Sequence, residues 1–231
     1  MGLLLPASPS LASFLARPYG VTPLGSGRGV RWCGHFEDVA AGASPHKFNC
    51  FDIGPPDPNR VIVVISVAED AQSNFTYDSI NINGIAMTEQ LDVGGSVSVS
   101  SAIYSLAWPD GRFANFEVNH SETVANCAIA VWALYGMSAT ATATVSSVAD
   151  PTVLTISVSG NGVILAMSIV HAASVVAAWT NLIPTMVNTN IGAEATYSGG
   201  HYIASAAETD RAVSCNWNGG TVWCGVAGAF A

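Results

Sequence analysis

Hydrophobic residues along this chain fall into short runs with the periods of β-strands, from Phe48 almost to the last residue. Some alternate with polar residues, as in Thr152–Val158, and others are continuously apolar, as in Arg60–Ala68 (RVIVVISVA). Alternation marks a strand with one face buried, and a continuous run of this length marks a buried strand. Further strands are predicted at Ser79–Asn83, Ile85–Glu89, Ser96–Ala107, Phe113–Val118, Ala125–Tyr135, Thr140–Ser147, Val163–His171, Val175–Thr180, Ala193–Ala206, Ala212–Trp217 and Thr221–Ala229. Asn83-Gly84 is the strongest hairpin signal, because both residues tolerate positive φ. Other turn chemistry sits at Pro109-Asp110-Gly111, Asp150-Pro151, Gly160-Asn161-Gly162, Gly199-Gly200 and Gly219-Gly220. About a dozen short strands without a convincing helix predict an all-β chain. The expected architecture is a two-sheet antiparallel sandwich of jelly-roll type.

Residues 1–46 read differently. They hold Pro6, Pro9, Pro18, Pro23 and Pro45, the glycine-rich Gly25–Gly29, and three of the seven basic residues. Weak periodicity makes this an extended N-terminal arm, packed on its own sandwich or on a neighbouring subunit, with residues 47–231 forming one β-sandwich domain. The apolar start, Met1–Pro6, lacks a basic n-region, so a cleaved secretion signal is not expected.

Charge is scarce: 10% of residues are Asp, Glu, Lys or Arg, with a formal net charge of −9. That balance argues against nucleic acid and against anionic membrane surfaces, both of which select clustered Lys and Arg. No run is long and uniformly apolar enough to insert into a membrane as a helix. Few ionisable groups remain for chemistry, and a scaffold or binding surface is expected rather than an enzyme. No H-E-x-x-H, G-x-S-x-G or phosphate-binding loop is present. The sequence assigns no catalytic, cofactor or metal residue.

Five cysteines is an odd number. With Gly219-Gly220 as a two-residue hairpin turn, Cys215 falls opposite Cys224 at a candidate disulfide; the alternative is a pair of reduced core thiols. Cys33, His35, His46 and Cys50 are four zinc-compatible donors in one stretch, but their spacing matches no common zinc module. A Cys33–Cys50 bridge, or unpaired thiols, is the favoured reading there. Cys127 reads as a buried strand thiol. Glu69-Asp70 is either a pair of solvated charges at a strand end or, with Asp78, part of a loop calcium site. Trp108 and Trp223 are candidate surface-contact aromatics, weighed against a role as lids on the core.

The order of segments resembles a broad group of phage-encoded virion surface proteins and their prophage relatives. It is carried by Asn59–Ser66 (NRVIVVIS), Ile80–Met87 (ININ, then GIAM), Ile103–Leu106 with Pro109-Asp110-Gly111, and Ala130–Gly136 (AVWALYG). Pro151–Val153, Gly162–Ile164 and Trp179-Thr180 complete it, so that it covers residues 47–231 and leaves 1–46 and the cysteines outside. The resemblance implies a β-sandwich displayed on the head, neck or tail of a tailed phage, as capsid decoration, spike or accessory protein, and assembled in the host bacterial cytoplasm. It implies contacts with other virion proteins through the arm, and homo-oligomerisation, with a trimer as one stoichiometry. The alternative is a lectin-like sandwich that attaches to host surface glycans. A polysaccharide-cleaving enzyme would need clustered carboxylates that the spacing does not supply.

Overall fold

Strands that are apolar at every position need cover on both faces, and that requirement organises this molecule. The structure is a computed structural model that describes residues 20–25, 27–39, 42–70, 75–96 and 98–231. Among them the chain is all-β: eighteen strands, no helix, and antiparallel pairing throughout the sheets. The sandwich expected from the sequence is present, built from four sheets rather than two.

The first ten strands are β1 (Thr22–Gly25), β2 (Arg28–Asp38), β3 (His46–Asp52), β4 (Arg60–Glu69), β5 (Tyr77–Ile82), β6 (Ile85–Ala86), β7 (Thr88–Ser96), β8 (Val99–Ala107), β9 (Phe113–His120) and β10 (Asn126–Tyr135). They form a sheet of order β1-β2-β10-β4-β8-β7 and another of order β3-β9-β5-β6. The remaining strands are β11 (Ala143–Ser147), β12 (Thr152–Val158), β13 (Val163–Val170), β14 (Ala177–Thr180), β15 (Ile183–Ile191), β16 (Ala195–Ile203), β17 (Glu208–Trp217) and β18 (Trp223–Phe230). Their sheets run β11-β18-β13-β16-β15 and β12-β17-β14.

The two halves share one topology. If β2 to β10 are counted as eight strands, with β6 and β7 as two parts of the fifth, the large sheet orders them one-eight-three-six and the small sheet two-seven-four-five. Counting β11 to β18 gives one-eight-three-six and two-seven-four, with the fifth strand moved wholly to the edge of the larger sheet. This is the jelly-roll order, two interlocked Greek keys, and it occurs twice in the chain. The sequence reading of one sandwich over 47–231 therefore becomes two rolls, joined by residues 136–142.

The layers stack small, large, large, small. Val61, Val63, Ile65 and Val67 of β4 meet Val163, Leu165, Met167 and Ile169 of β13 in the central core between the rolls, with Trp132, Tyr197 and Phe230 as its bulkiest members. The opposite faces of β4 and β10 pack on Phe48, Phe51, Ile80, Ile82 and Phe116 of the first small sheet. The opposite faces of β13 and β18 pack on Leu154, Ile156 and Val213 of the second. Each Val or Ile so buried contributes about 1.5–3 kcal/mol. The outermost faces are mostly polar: along β12, Val153, Thr155 and Ser157 alternate outward with buried Leu154, Ile156 and Val158.

Residues 1–19 of the expected arm lie outside the described residues. Its later part does not lie outside the sheets, because β2 pairs with β10 from Asp38 to Gly29. The alternation of β2 is interrupted by a bulge where Val131 opposes Gly34 and Trp132 opposes Trp32. Trp32, His35 and Glu37 then face the second roll, while Phe36 and Asp38 face the first small sheet. One extra residue conceals the period that would have marked this strand.

Candidate functional site

Polar groups collect at one end of the seam between the rolls, where β2, β4 and β10 of the first meet β13 and β16 of the second. Tyr197 of β16 is fully buried and donates its hydroxyl proton to Glu37 Oε1 at 3.0 Å. His35 Nδ1 lies 2.7 Å from the same hydroxyl oxygen. Because the phenol proton goes to Glu37, the imidazole supplies the proton of that second bond. Burial lowers the His35 pKa. It raises that of Glu37 against the opposing pull of the tyrosine bond, and it raises that of Tyr197. The triad thus ties two strands of different rolls, β2 and β16, by short polar contacts.

Beside it, Glu69 closes β4 and is paired in register with Asn126 of β10. Asn126 Nδ2 donates to Glu69 Oε2 at 2.7 Å, and both residues are buried. His171, just past β13, places Nδ1 3.4 Å from Glu69 Oε1. Glu194, in the turn between β15 and β16, is the third member of the group and is exposed. Desolvation raises the Glu69 pKa, partly offset by the Asn126 bond and by His171. Glu69 is therefore not a solvated charge at a strand end. Its companions are His171 and Glu194 from the other roll rather than Asp78, which is exposed on β5.

The remaining candidates disperse. Cys215 and Cys224 are free thiols on different sheets. Cys215 sits between Thr152 and Trp179 in the outer sheet, and Cys224 pairs with Ile169 in the inner one. The limbs around Gly219-Gly220 diverge instead of pairing. Asn218 exchanges hydrogen bonds with Val176, whereas Val222 accepts from the His171 backbone. In a jelly roll the last two strands belong to opposite sheets, so the hairpin register that aligned the cysteines does not exist. Cys33 and Cys50 are also unpaired, the first half-buried and the second exposed. His46 turns to Asp38 at 3.1 Å and stacks edge-on against His120, while His35 faces the other roll. The four zinc-compatible donors are not brought together: Cys33 and His35 lie on β2 of the large sheet, and His46 and the exposed Cys50 on β3 of the small one.

Trp108 is half-buried against the first roll's outer core, and Trp223 against a cluster with Val170, Cys215 and Trp217. Both are lids. A shallow concavity opens along Pro58–Val61, Ala107, Gly136, Met137 and Ala139. Its cationic side chain, Arg60, points inward and donates to the carbonyls of Gly54, Pro55, Trp108, Asp110 and Gly111.

No family model and no curated protein matches this chain. Among solved structures it is similar to the N-terminal CBM22-1–CBM22-2 tandem domain of Paenibacillus barcinonensis Xyn10C, with 8% identity, 91% of this chain and 96% of that one covered, and a TM-score of 0.28. It is also similar to the PBSX exported protein XepA, with 10% identity, 91% and 88% coverage, and a TM-score of 0.22. At such TM-scores neither likeness bears on function.

Proposed function

We propose that this chain is a non-enzymatic structural component of a tailed-phage particle, displayed on the capsid, neck or tail and self-associating there. The observation that carries the reading is how its sparse ionisable groups are used. His35, Glu37, His46, Arg60, Glu69 and His120 are engaged or enclosed between layers rather than gathered in an open cleft. What faces outward on the small sheets is mostly polar, with single exposed apolar side chains such as Ile85, Phe113 and Val153, which suits docking and exposure. The segment order shared with virion surface proteins supports the same reading. The lectin-like alternative is less favoured, because the aromatic side chains it would use, Trp108 and Trp223, lie against the core.

Residues 1–19 are the part proposed to anchor the body to its virion partners. A deletion that tests this must stop before Thr22, since β1 pairs with β2 and completes the large sheet. Mass spectrometry of purified particles is expected to find the chain at a fixed copy ratio to the capsid protein. Deletion of residues 1–19 is expected to leave a folded chain that no longer co-purifies with particles. Absence of the full chain from particles, together with specific retention on a host-glycan array, would replace this reading with the lectin one.

A further inference from the structure

We propose that Glu69, His171 and Glu194 bind one divalent transition-metal ion, with zinc as the preferred occupant, and that this ion ties the first roll to the second. Each residue offers one ligand atom, and these atoms all lie within 4.8 Å of one another. Glu69 comes from β4 of the first roll; His171 and Glu194 come from the second.

The second observation is the state of the two innermost atoms. The Glu69 side chain is 1% exposed, yet its Oε1 makes no hydrogen bond, and neither does His171 Nδ1 facing it 3.4 Å away. An imidazole hydrogen-bonded to a carboxylate would close to about 2.7–2.9 Å. Donors held roughly 2.0–2.2 Å from a tetrahedral zinc stand roughly 3.3–3.6 Å apart, and the observed gap falls in that range. Two sealed, convergent atoms at that spacing fit a shared ion better than a shared proton.

The surroundings complete a ligand frame. Asn126 fixes Glu69 through Oε2 and leaves Oε1 for the ion. The same amide packs against Gly192, where an added Cβ would stand 2.6 Å from Asn126 Oδ1. Asn126 therefore positions both Glu69 and the turn that carries Glu194, the role of an outer-shell residue in a metal site. His171 is fixed by its backbone N–H to Val222 at 2.9 Å. Glu194 is exposed and gives the ion a way in. One imidazole with two carboxylates selects a borderline ion such as Zn²⁺ or Co²⁺ over Ca²⁺ or Mg²⁺, which favour all-oxygen shells.

The test uses the full chain, stripped with a chelator and titrated with Zn²⁺, Co²⁺ and Ca²⁺. We expect one Co²⁺ per chain with a visible ligand-field band, and a rise in Tm with Zn²⁺ that Ca²⁺ does not reproduce. Glu194→Gln, at an exposed position, should weaken Co²⁺ binding at least tenfold while leaving the metal-free Tm unchanged. His171→Ala should remove the band, and Cys50→Ser should keep it. No binding to the wild-type chain would overturn the proposal. So would binding of unchanged affinity in Glu194→Gln and His171→Ala.

Discussion

His120 shows what burial does to a titratable side chain in this molecule. Its ring is packed among His46, Phe75 and Tyr77, and neither nitrogen makes a hydrogen bond. Burial first, and His46 second, hold its pKa down at about 3. An unfolded histidine titrates near 6.5, so below that pH the unfolded chain takes up a proton that the folded one refuses. The contribution is complete above about pH 6.5 and is lost as pH falls toward 3, with a slope of up to about 1.4 kcal/mol per pH unit. Glu37, Glu69 and Asp92 act in the opposite sense. Their raised pKa values add stability at acid pH, and it is lost as pH rises through those values. His120→Phe should therefore flatten the acid limb of a Tm–pH curve and cost nothing at pH 7, because two unsatisfied buried nitrogens disappear. An unchanged acid limb would mean that the cage is open. The cysteines give a second check at this scale. Burial pushes Cys33, Cys127 and Cys215 up to about 12 and Cys224 up to about 11. A thiol reagent should modify Cys50 alone in the native chain and all five cysteines after denaturation without reductant. Fewer than five would reveal a disulfide.

At the scale of elements, β4 shows why both ends of a doubly apolar strand need fixing. With Val and Ile on both faces and cover over each, a one-residue slip would only exchange one apolar face for the other, so hydrophobic pattern alone cannot set its register. Arg60 fixes one end: it is 1% exposed and makes five hydrogen bonds to carbonyls of the Gly54-Pro55 and Trp108–Gly111 turns. Arg60→Met should destabilise by about 2–4 kcal/mol in urea unfolding, because the buried Gly54 carbonyl and four part-buried ones lose their donor. A change below about 1 kcal/mol would show that solvent reaches them. Gly200 makes a comparable point in β16, where the sequence suggested a turn. A Cβ there would sit 2.1 Å from the Ile183 carbonyl oxygen of β15, so Gly200→Ala should lower stability by about 1–3 kcal/mol.

These elements also show how far the fold could be read from the residues. β4, β10, β12 and β13 were legible because their burial is uniform or strictly alternating, and Asn83-Gly84 forms its hairpin turn with φ of 49° and 82°. β2 was hidden by its bulge. β15 was hidden by Pro184 and its asparagines, which are tolerated because it is an edge strand. The cysteine pairing failed because a local turn signal cannot say that its two limbs enter different sheets. The Glu69 cluster was illegible for the same reason: its members are brought together by the packing of one roll on another, and no spacing encodes that.

The whole molecule is two equivalent rolls placed back to back, and their large sheets supply each other's missing cover. Trp132 packs at a tilt against Trp32, ring centroids 4.7 Å apart, inside this seam, and Arg28 reaches across to the Gly160 carbonyl at 3.3 Å. Neither large sheet has a solvated face over its central strands. The sparse charge, the polar outer skin and the closed interior follow from one arrangement, and the proposed role in display rests on it. Differential scanning calorimetry of the intact chain tests that arrangement most directly. Rolls that share a core should unfold together, in one transition whose calorimetric and van't Hoff enthalpies agree. Two separable transitions, each with about half of the total enthalpy, would contradict it.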